Sequence, residues 1–457
     1  MRQILWEGAL EPNVALSKES SLGVMKQRYN DLTLSICEEA VRKCFKGKWK
    51  RKDILLMVNK YAGINSYDIL LEFDQPKKPL REEAVHSIGL FLYGEIEEII
   101  NGYDPEEFYP VKERQKRDRS NGKIRNIAML CLMHQLIGHV TYLLLEPLFK
   151  GQIVESQHAS IPGHGQTRLK NETRKKMLKK LGIKYFVKTD CRHAYASLQY
   201  EILADIIRKE IPSAKHIHKL MDFLGSVAPD GHLIIGGYLD AWLFNFGMSY
   251  AIRYLMSLHQ VRRGKEIPYV ILCECYMDDL CLYGSSEKLL KMAIRKLAPW
   301  MEKNLGMSMK TTTGIVKLLP VAEENQRRNL PKKAQRGVPS VDMAGFRISR
   351  SHVRIRRGIF LRARRQWMRS WDEYQRTGTI RIQRARKISC YNGYIKQTDS
   401  EAIRIKYHTD ELLAVAKKIV SNSSKARRRR ENEVRDEMFR IAEYLRPIPG
   451  DGGTSAK

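Results

Sequence analysis

The chain has 457 residues, of which 43% are hydrophobic, a composition that excludes a disordered chain and predicts a large core in about two to three domains. Lys and Arg total 81 against 51 Asp and Glu, and the net charge of +30 favours a nucleic-acid partner, because each neutralised phosphate releases counterions. No window approaches about twenty uncharged apolar residues and the first residues lack a secretory pattern, so we expect no membrane association and a cytoplasmic location.

Residues 1–110 predict an N-terminal helical extension. Apolar residues recur at three- and four-residue spacing over Ser17–Phe45 and again over 84–101, which is the spacing of one helix face. The second helix should stop at Asn101-Gly102, because glycine readily ends a helix in a left-handed conformation.

Residues 111–182 begin with a basic stretch. Asn121-Gly122 lies there between two strand-like runs, which predicts a tight hairpin turn. A long apolar helix should follow over Leu132–Leu145 and end before Pro147, since proline cannot donate the helical hydrogen bond.

Residues 183–350 alternate short apolar runs with helix-like segments, which indicates an α+β fold with a small sheet and helices on one side. The expected strands cover Lys184–Lys188, Tyr269–Met277, Leu280–Tyr283 and Val341–Ile348, and the expected helices cover Ser197–Arg208, Leu239–Leu258 and Glu287–Asn304.

Residues 351–457 are dense in arginine and predict a basic helical region with a charged tail. Trp367 and Trp371 are expected in the core of that region. The eight cysteines of the chain are scattered without a CxxC pair, so a structural zinc site has little support and reduced thiols are expected.

The strongest chemical signal is the run Tyr276-Met277-Asp278-Asp279 between two apolar, strand-like segments. Two adjacent carboxylates at a tight turn repel each other unless a cation compensates them, and Mg²⁺ prefers oxygen ligands. A two-metal site needs a further carboxylate, and Asp190, which ends the strand-like run KYFVKTD, is the strongest candidate. Taken alone, the paired aspartates fit a solvated turn and Asp190 fits a helix cap. The prediction therefore depends on their joint occurrence in a very basic chain.

The tetrapeptide YMDD, in the context CYMDDLCLYGSSEKLL, resembles the catalytic motif of reverse transcriptases, and further blocks follow the order of that family over about residues 110 to 400. The resemblance implies a right-hand polymerase with fingers and part of the palm over 111–182, a palm with inserted fingers helices over 183–350, and a thumb and tail over 351–457. It implies RNA-directed DNA polymerisation with two Mg²⁺ ions, for which Mn²⁺ can substitute. The implied metal ligands are Asp190, Asp278, Asp279 and the backbone carbonyl of Cys191.

Other matching blocks imply a nucleotide-binding set. FVKTDCRHAYASL places Tyr195 where the family has the aromatic residue that excludes a ribose 2′-hydroxyl; a core aromatic is the alternative. NGKIRNIAML places Lys123 and Arg125 on a fingers strand, where they either clamp a triphosphate or are solvated charges. The block IIGGYLD implies that Gly236 also belongs to the nucleotide-binding set. The block LGMSMK implies that Lys310 belongs to it too, as a proton donor to pyrophosphate.

A template- and primer-binding set is implied as well. AGFRISRSHVRIRRGIFLRARR resembles a primer-grip hairpin, which implies roles for Gly345 and Arg347, and Tyr276 and Met277 lie beside the aspartates. Where related bacterial enzymes have Ser-Gln, this chain has Asp240-Ala241. An ionised carboxylate there would repel template phosphate, so we expect unusual templating: a fixed short template, reduced fidelity, or nucleotide selection by protein groups.

The segments SIPGHGQ and IIGGYLDAWLFN resemble bacterial enzymes of the group that includes group II intron-like, diversity-generating retroelement and antiphage-defence reverse transcriptases. The implied context is antiphage defence by a bacterial or phage-encoded enzyme, with a diversity-generating retroelement as the alternative. The implied partners are a structured noncoding RNA as template or scaffold, deoxynucleoside triphosphates and a DNA product. A protein partner or a homo-oligomer is left open.

Two other classes stay open at this point. A catalytically inactive RNA-binding protein on a polymerase scaffold would have no use for three clustered carboxylates. An RNA-dependent RNA polymerase would share the metal ligands but conflicts with Tyr195 as a sugar gate.

Overall fold

The computed structural model describes residues 28–72, 77–105, 108, 111–117, 124–180, 182–310, 314–330 and 337–444. The chain forms two compact units, one ending at Val341 and one beginning at Asp342. The division falls before residue 351, where the sequence predicts the start of the thumb. The strands between 341 and 355 pair with one another, so they form a sheet of their own.

The unit that ends at Val341 combines helices and strands, as expected for an α+β chain. Its helices are α1 (Leu34–Phe45), α2 (Lys52–Ala62), α3 (Ser66–Leu71), α4 (Pro79–Asn101), α5 (Leu132–Gln152), α6 (Gln166–Lys179), α7 (Ala194–Ser197), α8 (Tyr200–Glu210), α9 (Lys215–Val227), α10 (Tyr238–Ser257), α11 (Glu287–Leu305) and α12 (Val321–Arg328). Its strands are β1 (Lys112–Arg117), β2 (Ile124–Met129), β3 (Tyr185–Asp190), β4 (His259–Arg262), β5 (Lys265–Pro268), β6 (Leu272–Tyr276), β7 (Asp279–Gly284) and β8 (Val316–Lys317).

Helix predictions are confirmed to within one residue at each end where the apolar spacing is continuous, as in α10 and α11. The single helix expected over Ser197–Arg208 is wrong. The chain forms α7 and α8 instead, because Leu198 between them adopts an extended conformation with φ −87° and ψ 115°.

The helix expected over Ser17–Phe45 begins only at Leu34 within the described residues, and residues 17–27 lie outside them. Thr33 explains the start, because its hydroxyl oxygen accepts a hydrogen bond from the Ile36 amide at 3.3 Å and caps the first turn. Helix α4 begins before the predicted residue 84, at Pro79, a position where the missing proline N–H is not needed.

Helix α5 continues past Pro147 to Gln152, contrary to the expected end before the proline. Pro147 cannot donate to the carbonyl of Leu143, four residues earlier. That carbonyl instead accepts the Asn30 side-chain amide at 2.7 Å, and the Leu144 carbonyl accepts the Asn30 backbone N–H at 2.9 Å. A residue more than 100 positions away thus satisfies the freed carbonyl and allows the helix to continue.

The N-terminal helices share one core with the rest of their unit. Helix α1 packs on α4 and α5, α4 also packs on α9, and a continuous hydrophobic cluster runs from Cys37 to Met307. The residues predicted as an extension therefore contribute to the same core as the sheet. None of the helices in the described part of the chain is long and apolar enough to span a bilayer.

The central sheet has the order β6-β7-β3-β8, and its paired strands are antiparallel. Strand β6 starts at Leu272 rather than at the expected Tyr269, whose N–H donates to the Leu258 carbonyl instead at 2.8 Å. In the register of β3 and β7, Asp190 lies directly opposite Asp279. The ends of β3, β6 and β7 thus meet at one edge of the sheet.

Strand β9 (Val341–Met343) begins at the last residue of the first unit and continues into the second. The second unit also has strands β10 (Phe346–Ile348) and β11 (Val353–Ile355), followed by α13 (Arg357–Thr377), α14 (Ile382–Ile395), α15 (Glu401–Lys406) and α16 (Thr409–Tyr444). The single strand expected over Val341–Ile348 is interrupted, because Ala344 and Gly345 have φ of 45° and 89° and form a turn. Trp367 is buried in a separate core, as expected, and Trp371 packs against that core and stacks on His408 at 3.8 Å.

Candidate active site

A two-residue turn joins β6 to β7 and carries Asp278 at its tip. Tyr276 pairs with Asp279 across the hairpin, which leaves Met277 and Asp278 as the connection. Met277 has φ 55°, a left-handed conformation that a non-glycine residue adopts at a cost. The Cys275 thiol donates to the Met277 carbonyl at 3.1 Å and helps to hold this turn. The hairpin thus places two consecutive carboxylates at the edge of the sheet.

The carboxyls of Asp190 and Asp278 lie within hydrogen-bonding reach of each other. The pKa of Asp278 is raised to about 6, first by burial and then by its hydrogen bond with Asp190 and by the charges of Asp190 and Asp279. When both groups are ionised, the buried Oδ1 of Asp190 has no hydrogen-bond donor among the described residues. A proton on Asp278 or a bound cation would supply the missing partner.

Two lysines neutralise part of this negative charge. The Lys310 ammonium contacts the Asp190 carboxylate, and its backbone N–H donates to the Asp190 carbonyl at 2.8 Å. The Arg192 N–H donates to the Ser308 carbonyl at 2.8 Å, so the segment before Lys310 runs alongside the end of β3. On β3 itself, Lys188 lies 2.9 Å from Oδ1 of Asp279.

The chemistry of these residues fits a hard divalent cation. Three carboxylates meet at one sheet edge, one of their oxygens is buried without a donor, and ionising all of them is unfavourable without added positive charge. In the described part of the chain, no three His, Cys, Asp or Glu side chains are already arranged around a common metal position. Cys191 follows Asp190 directly and pairs with Met309, so its backbone lies at the same edge.

Tyr195 lies close enough to two carboxylates, Asp278 of the sheet edge and Asp240 of α10, for both charges to act on its phenol. Its ring stacks on Phe244 with centroids 4.9 Å apart and planes at 4°. Burial raises the pKa of the Tyr195 phenol, and the charges of Asp240 and Asp278 act in the same direction. The ring is half-buried, so it is neither a fully enclosed core residue nor a free surface residue.

The predicted nucleotide-binding residues are only partly described. Gly236 has φ 117°, and the preceding Ile235 carbonyl accepts the Ala128 N–H of β2 at 3.3 Å, so this loop lies against the predicted fingers strand. Strands β1 and β2 pair as predicted, and Arg125 lies opposite Lys116. The turn at Asn121-Gly122 and Lys123 lie outside the described residues, as does the side chain of Arg125.

Asp240 does not face solvent, which corrects the expectation that it repels template phosphate. Its side chain is buried, with Oδ1 accepting the Tyr200 hydroxyl at 2.9 Å and the Ile234 N–H at 2.7 Å. A Cβ at Gly237 would overlap Oδ2 of Asp240, so a side chain there would displace this carboxylate from its hydrogen bonds. Burial raises the pKa of Asp240 to about 6. The neighbouring Ala241 uses its carbonyl to accept the Asn245 amide at 3.0 Å.

Sequence reasoning missed a buried charged group beside the β6–β7 hairpin. Glu274 of β6 is fully buried and accepts from His158 at 2.6 Å and from Lys176 at 2.9 Å. The backbone N–H of His158 donates to the Cys275 carbonyl at 3.0 Å, which joins the segment around His158 to the strand that leads to Asp278. The sequence did contain a signal for this group: a single glutamate in the apolar run VILCEC predicts a buried charge, and a buried charge requires partners.

The predicted primer-grip residues lie in the unit that begins at Asp342. Gly345 has φ 89°, and a Cβ there would come within 2.7 Å of Cε1 of Tyr394. Its carbonyl accepts the Arg356 N–H at 2.9 Å. Arg347 pairs with Arg354 across β10 and β11.

No protein-family model and no curated protein matches the chain. Among solved structures, it is similar to apo telomerase from Candida tropicalis, with 13% identity over 86% of this chain and 78% of that chain and a TM-score of 0.40. A form of that telomerase truncated from the C-terminal domain matches at 12% identity, 76% and 85% coverage and a TM-score of 0.36. Telomerase from Candida albicans in complex with a TWJ fragment of telomeric RNA matches at 12% identity, 69% and 62% coverage and a TM-score of 0.38.

Proposed function

We propose that this chain is an RNA-directed DNA polymerase, a reverse transcriptase. The observation that carries the proposal is the meeting of Asp190, Asp278 and Asp279 at one edge of an antiparallel sheet, where burial and the neighbouring carboxylates raise the pKa of Asp278. Three carboxylates gathered in this way in a chain of net charge +30 suit a metal-dependent reaction on a polyphosphate substrate.

The three aspartates and the Cys191 backbone carbonyl would hold two Mg²⁺ ions, or Mn²⁺ in their place. Bound there, the ions would activate a 3′-hydroxyl and stabilise the leaving pyrophosphate. Tyr195 would exclude a ribose 2′-hydroxyl by the position of its ring, which Phe244 holds by stacking. Lys310, which contacts Asp190, would give a proton to the departing pyrophosphate.

A right-hand polymerase layout and a structured noncoding RNA partner belong to the same proposal. The β1–β2 hairpin with Gly236 beside it would act as fingers, the central sheet as palm, and the arginine-rich unit from Asp342 as thumb. Deoxynucleoside triphosphates would be the substrates and DNA the product. The proposed context is bacterial antiphage defence, and a diversity-generating retroelement is the alternative.

The test is to purify the protein from its native operon, sequence the RNA bound to it, and incubate the complex with Mg²⁺ and each labelled deoxynucleotide. Asp278→Asn should abolish incorporation. Asp230→Asn is the matched control, because Asp230 is an exposed aspartate with φ 53°, where asparagine is equally well tolerated. Incorporation that survives Asp278→Asn would contradict the proposed site.

A catalytically inactive RNA-binding protein is the second candidate. The ion pairs of Lys310 with Asp190 and of Lys188 with Asp279 favour it, because they stabilise the carboxylates without a metal. The same experiment separates the two candidates. No incorporation by the wild type, together with equal RNA content in wild type and Asp278→Asn, would establish the binding protein.

A further inference from the structure

A cleft of about 530 Å³ opens between the N-terminal helices and the loop before α10. Its volume lies within the range of about 300 to 1,000 Å³ that small-ligand sites occupy. None of the described residues that line it is acidic. Its lining includes Lys43, Lys48, Gln135, His139, Gly236 and Tyr238.

One side of this cleft is strongly basic. Lys43 comes from α1 and Lys48 from the loop after it, and five of the seven residues from 46 to 52 are lysine or arginine. The pKa of His139 is lowered to about 4, first by burial and then by the charges of Lys48 and Lys43, so both ammonium groups lie near this ring. Lys43 also forms an ion pair with Glu39 at 3.3 Å. Two cations therefore face a neutral aromatic ring.

The other side of the cleft carries a braced aromatic ring. Tyr238 stacks on His139 with centroids 4.1 Å apart and meets Tyr142 edge-on at 5.0 Å. The Tyr238 side of this stack is open to solvent, because Tyr238 is 40% exposed whereas His139 is only 5% exposed. An exposed, rigidly supported aromatic ring is the usual platform for an unpaired nucleobase.

The backbone around the cleft is fixed and accessible. The Gln135 side-chain amide donates to the Leu130 carbonyl at 3.0 Å, which holds the end of the segment after β2. Gly236 is exposed and has no side chain to block a ligand. Because the Ile235 carbonyl is bonded to Ala128, the loop that carries Gly236 keeps its place beside β2.

We propose that this cleft binds an unpaired nucleotide of single-stranded RNA, with its base on Tyr238 and the flanking phosphates on Lys43 and Lys48. The assignment of RNA rests on the proposed function, in which RNA is the template. A nucleoside triphosphate with its Mg²⁺ fits less well, because the described lining residues include no carboxylate ligand. Single-stranded RNA fits better, because each of its nucleotides brings one phosphate charge and the cleft is lined by Lys48 of the basic segment 46–52.

The experiment measures binding of a fluorescein-labelled oligouridine RNA of about 12 nucleotides to the full chain, without Mg²⁺ or deoxynucleotides, at several salt concentrations. The Lys43→Gln/Lys48→Gln variant should weaken binding about 10-fold and reduce the slope of log Kd against log salt by about 0.7 for each phosphate that is no longer neutralised. Tyr238→Leu should weaken binding about 10-fold without changing the slope. Lys288→Gln, which removes an exposed lysine from α11, is the matched control.

A 4-thiouridine version of the RNA locates the binding position directly. Crosslinking to the peptide that contains Tyr238, reduced in the lysine variant, is the expected result. Unchanged affinity and salt slope in both variants, or crosslinks confined to other peptides, would overturn the proposal. Because binding is measured without Mg²⁺ or deoxynucleotides, a failure of polymerisation in the earlier experiment does not affect this result, and a failure here leaves polymerisation intact.

Discussion

The Asp240 carboxylate accepts a hydrogen bond from the Tyr200 hydroxyl at 2.9 Å inside the protein. The same oxygen accepts the Ile234 N–H at 2.7 Å, so one buried carboxylate joins α8 to the loop before α10. These hydrogen bonds fix the loop that contains Gly236, and this loop lies against β2. An aspartate that looked from the sequence like a change in template recognition is therefore a structural residue.

Replacing Asp240 with alanine should destabilise the fold. The change leaves the Tyr200 hydroxyl and the Ile234 N–H without an acceptor, which costs about 1 to 3 kcal/mol for each group. We expect a loss of about 2 to 5 kcal/mol in the free energy of unfolding, measured by urea titration. Tyr200→Phe should cost less, because it removes the hydroxyl, which then needs no acceptor, and leaves the Asp240 carboxylate its hydrogen bond from the Ile234 N–H. Equal stability of wild type and Asp240→Ala would contradict this account.

The stability contribution of Asp240 should depend on pH. Its pKa is raised from 3.8 to about 6, so the folded state binds the proton more tightly than the unfolded state. The resulting stabilisation is complete below about pH 4 and is lost as pH rises through about 6, a change of about 3 kcal/mol. The asparagine of Asp240→Asn cannot ionise, so the stability of this variant does not fall with rising pH for this reason. Between about pH 4 and about pH 7, the wild type should therefore lose unfolding free energy relative to Asp240→Asn. A difference between the two proteins that stays constant with pH would refute the raised pKa of Asp240.

Tyr195→Ala should admit ribonucleotides. The change removes the ring that Phe244 holds in place, and with it the proposed barrier to a 2′-hydroxyl. The measurement is incorporation of labelled ribonucleotides against deoxynucleotides by the purified complex. Tyr195→Phe keeps the ring and should keep the discrimination. If the wild type already prefers ribonucleotides, Tyr195 is not a sugar gate and the chain is an RNA polymerase.

Lys310→Met should slow polymerisation while RNA binding is retained. Removing a general acid typically lowers a rate by about 100-fold or more, and the ammonium of Lys310 contacts Asp190 directly. Incorporation at saturating deoxynucleotide and RNA would be compared with that of Lys317→Met, a change at an exposed lysine of β8. A rate equal to that of the control would exclude the proposed proton transfer.

Glu274→Ala should be strongly destabilising. It leaves His158 and Lys176 without their shared acceptor in a buried position, and breaking such a group costs about 3 to 5 kcal/mol. Glu266→Ala is the matched control, because Glu266 is 73% exposed and lies 3.7 Å from His259; it should change the unfolding free energy little. Similar urea midpoints for the two variants would show that Glu274 does not anchor β6.

Local chemistry in the sequence determined the elements with continuous patterns. The apolar spacing of α10 and α11 predicts both helices to within one residue at each end, because each helix buries a face that its own residues specify. The run that ends in Asp278-Asp279 likewise predicts a turn between strands, since apolar segments flank a pair of charged residues. The position of Asp190 at a strand end follows from the same reasoning.

Only the tertiary structure decided which residues meet. Helix α5 continues through Pro147 because Asn30 satisfies the freed carbonyl, and Glu274 is stable in the sheet because His158, 116 residues earlier, lies beside it. Asp240 is turned into the core by the hydroxyl of Tyr200. In each case the deciding partner is distant in sequence, and the energy of a buried polar group depends on that partner rather than on its neighbours in the chain.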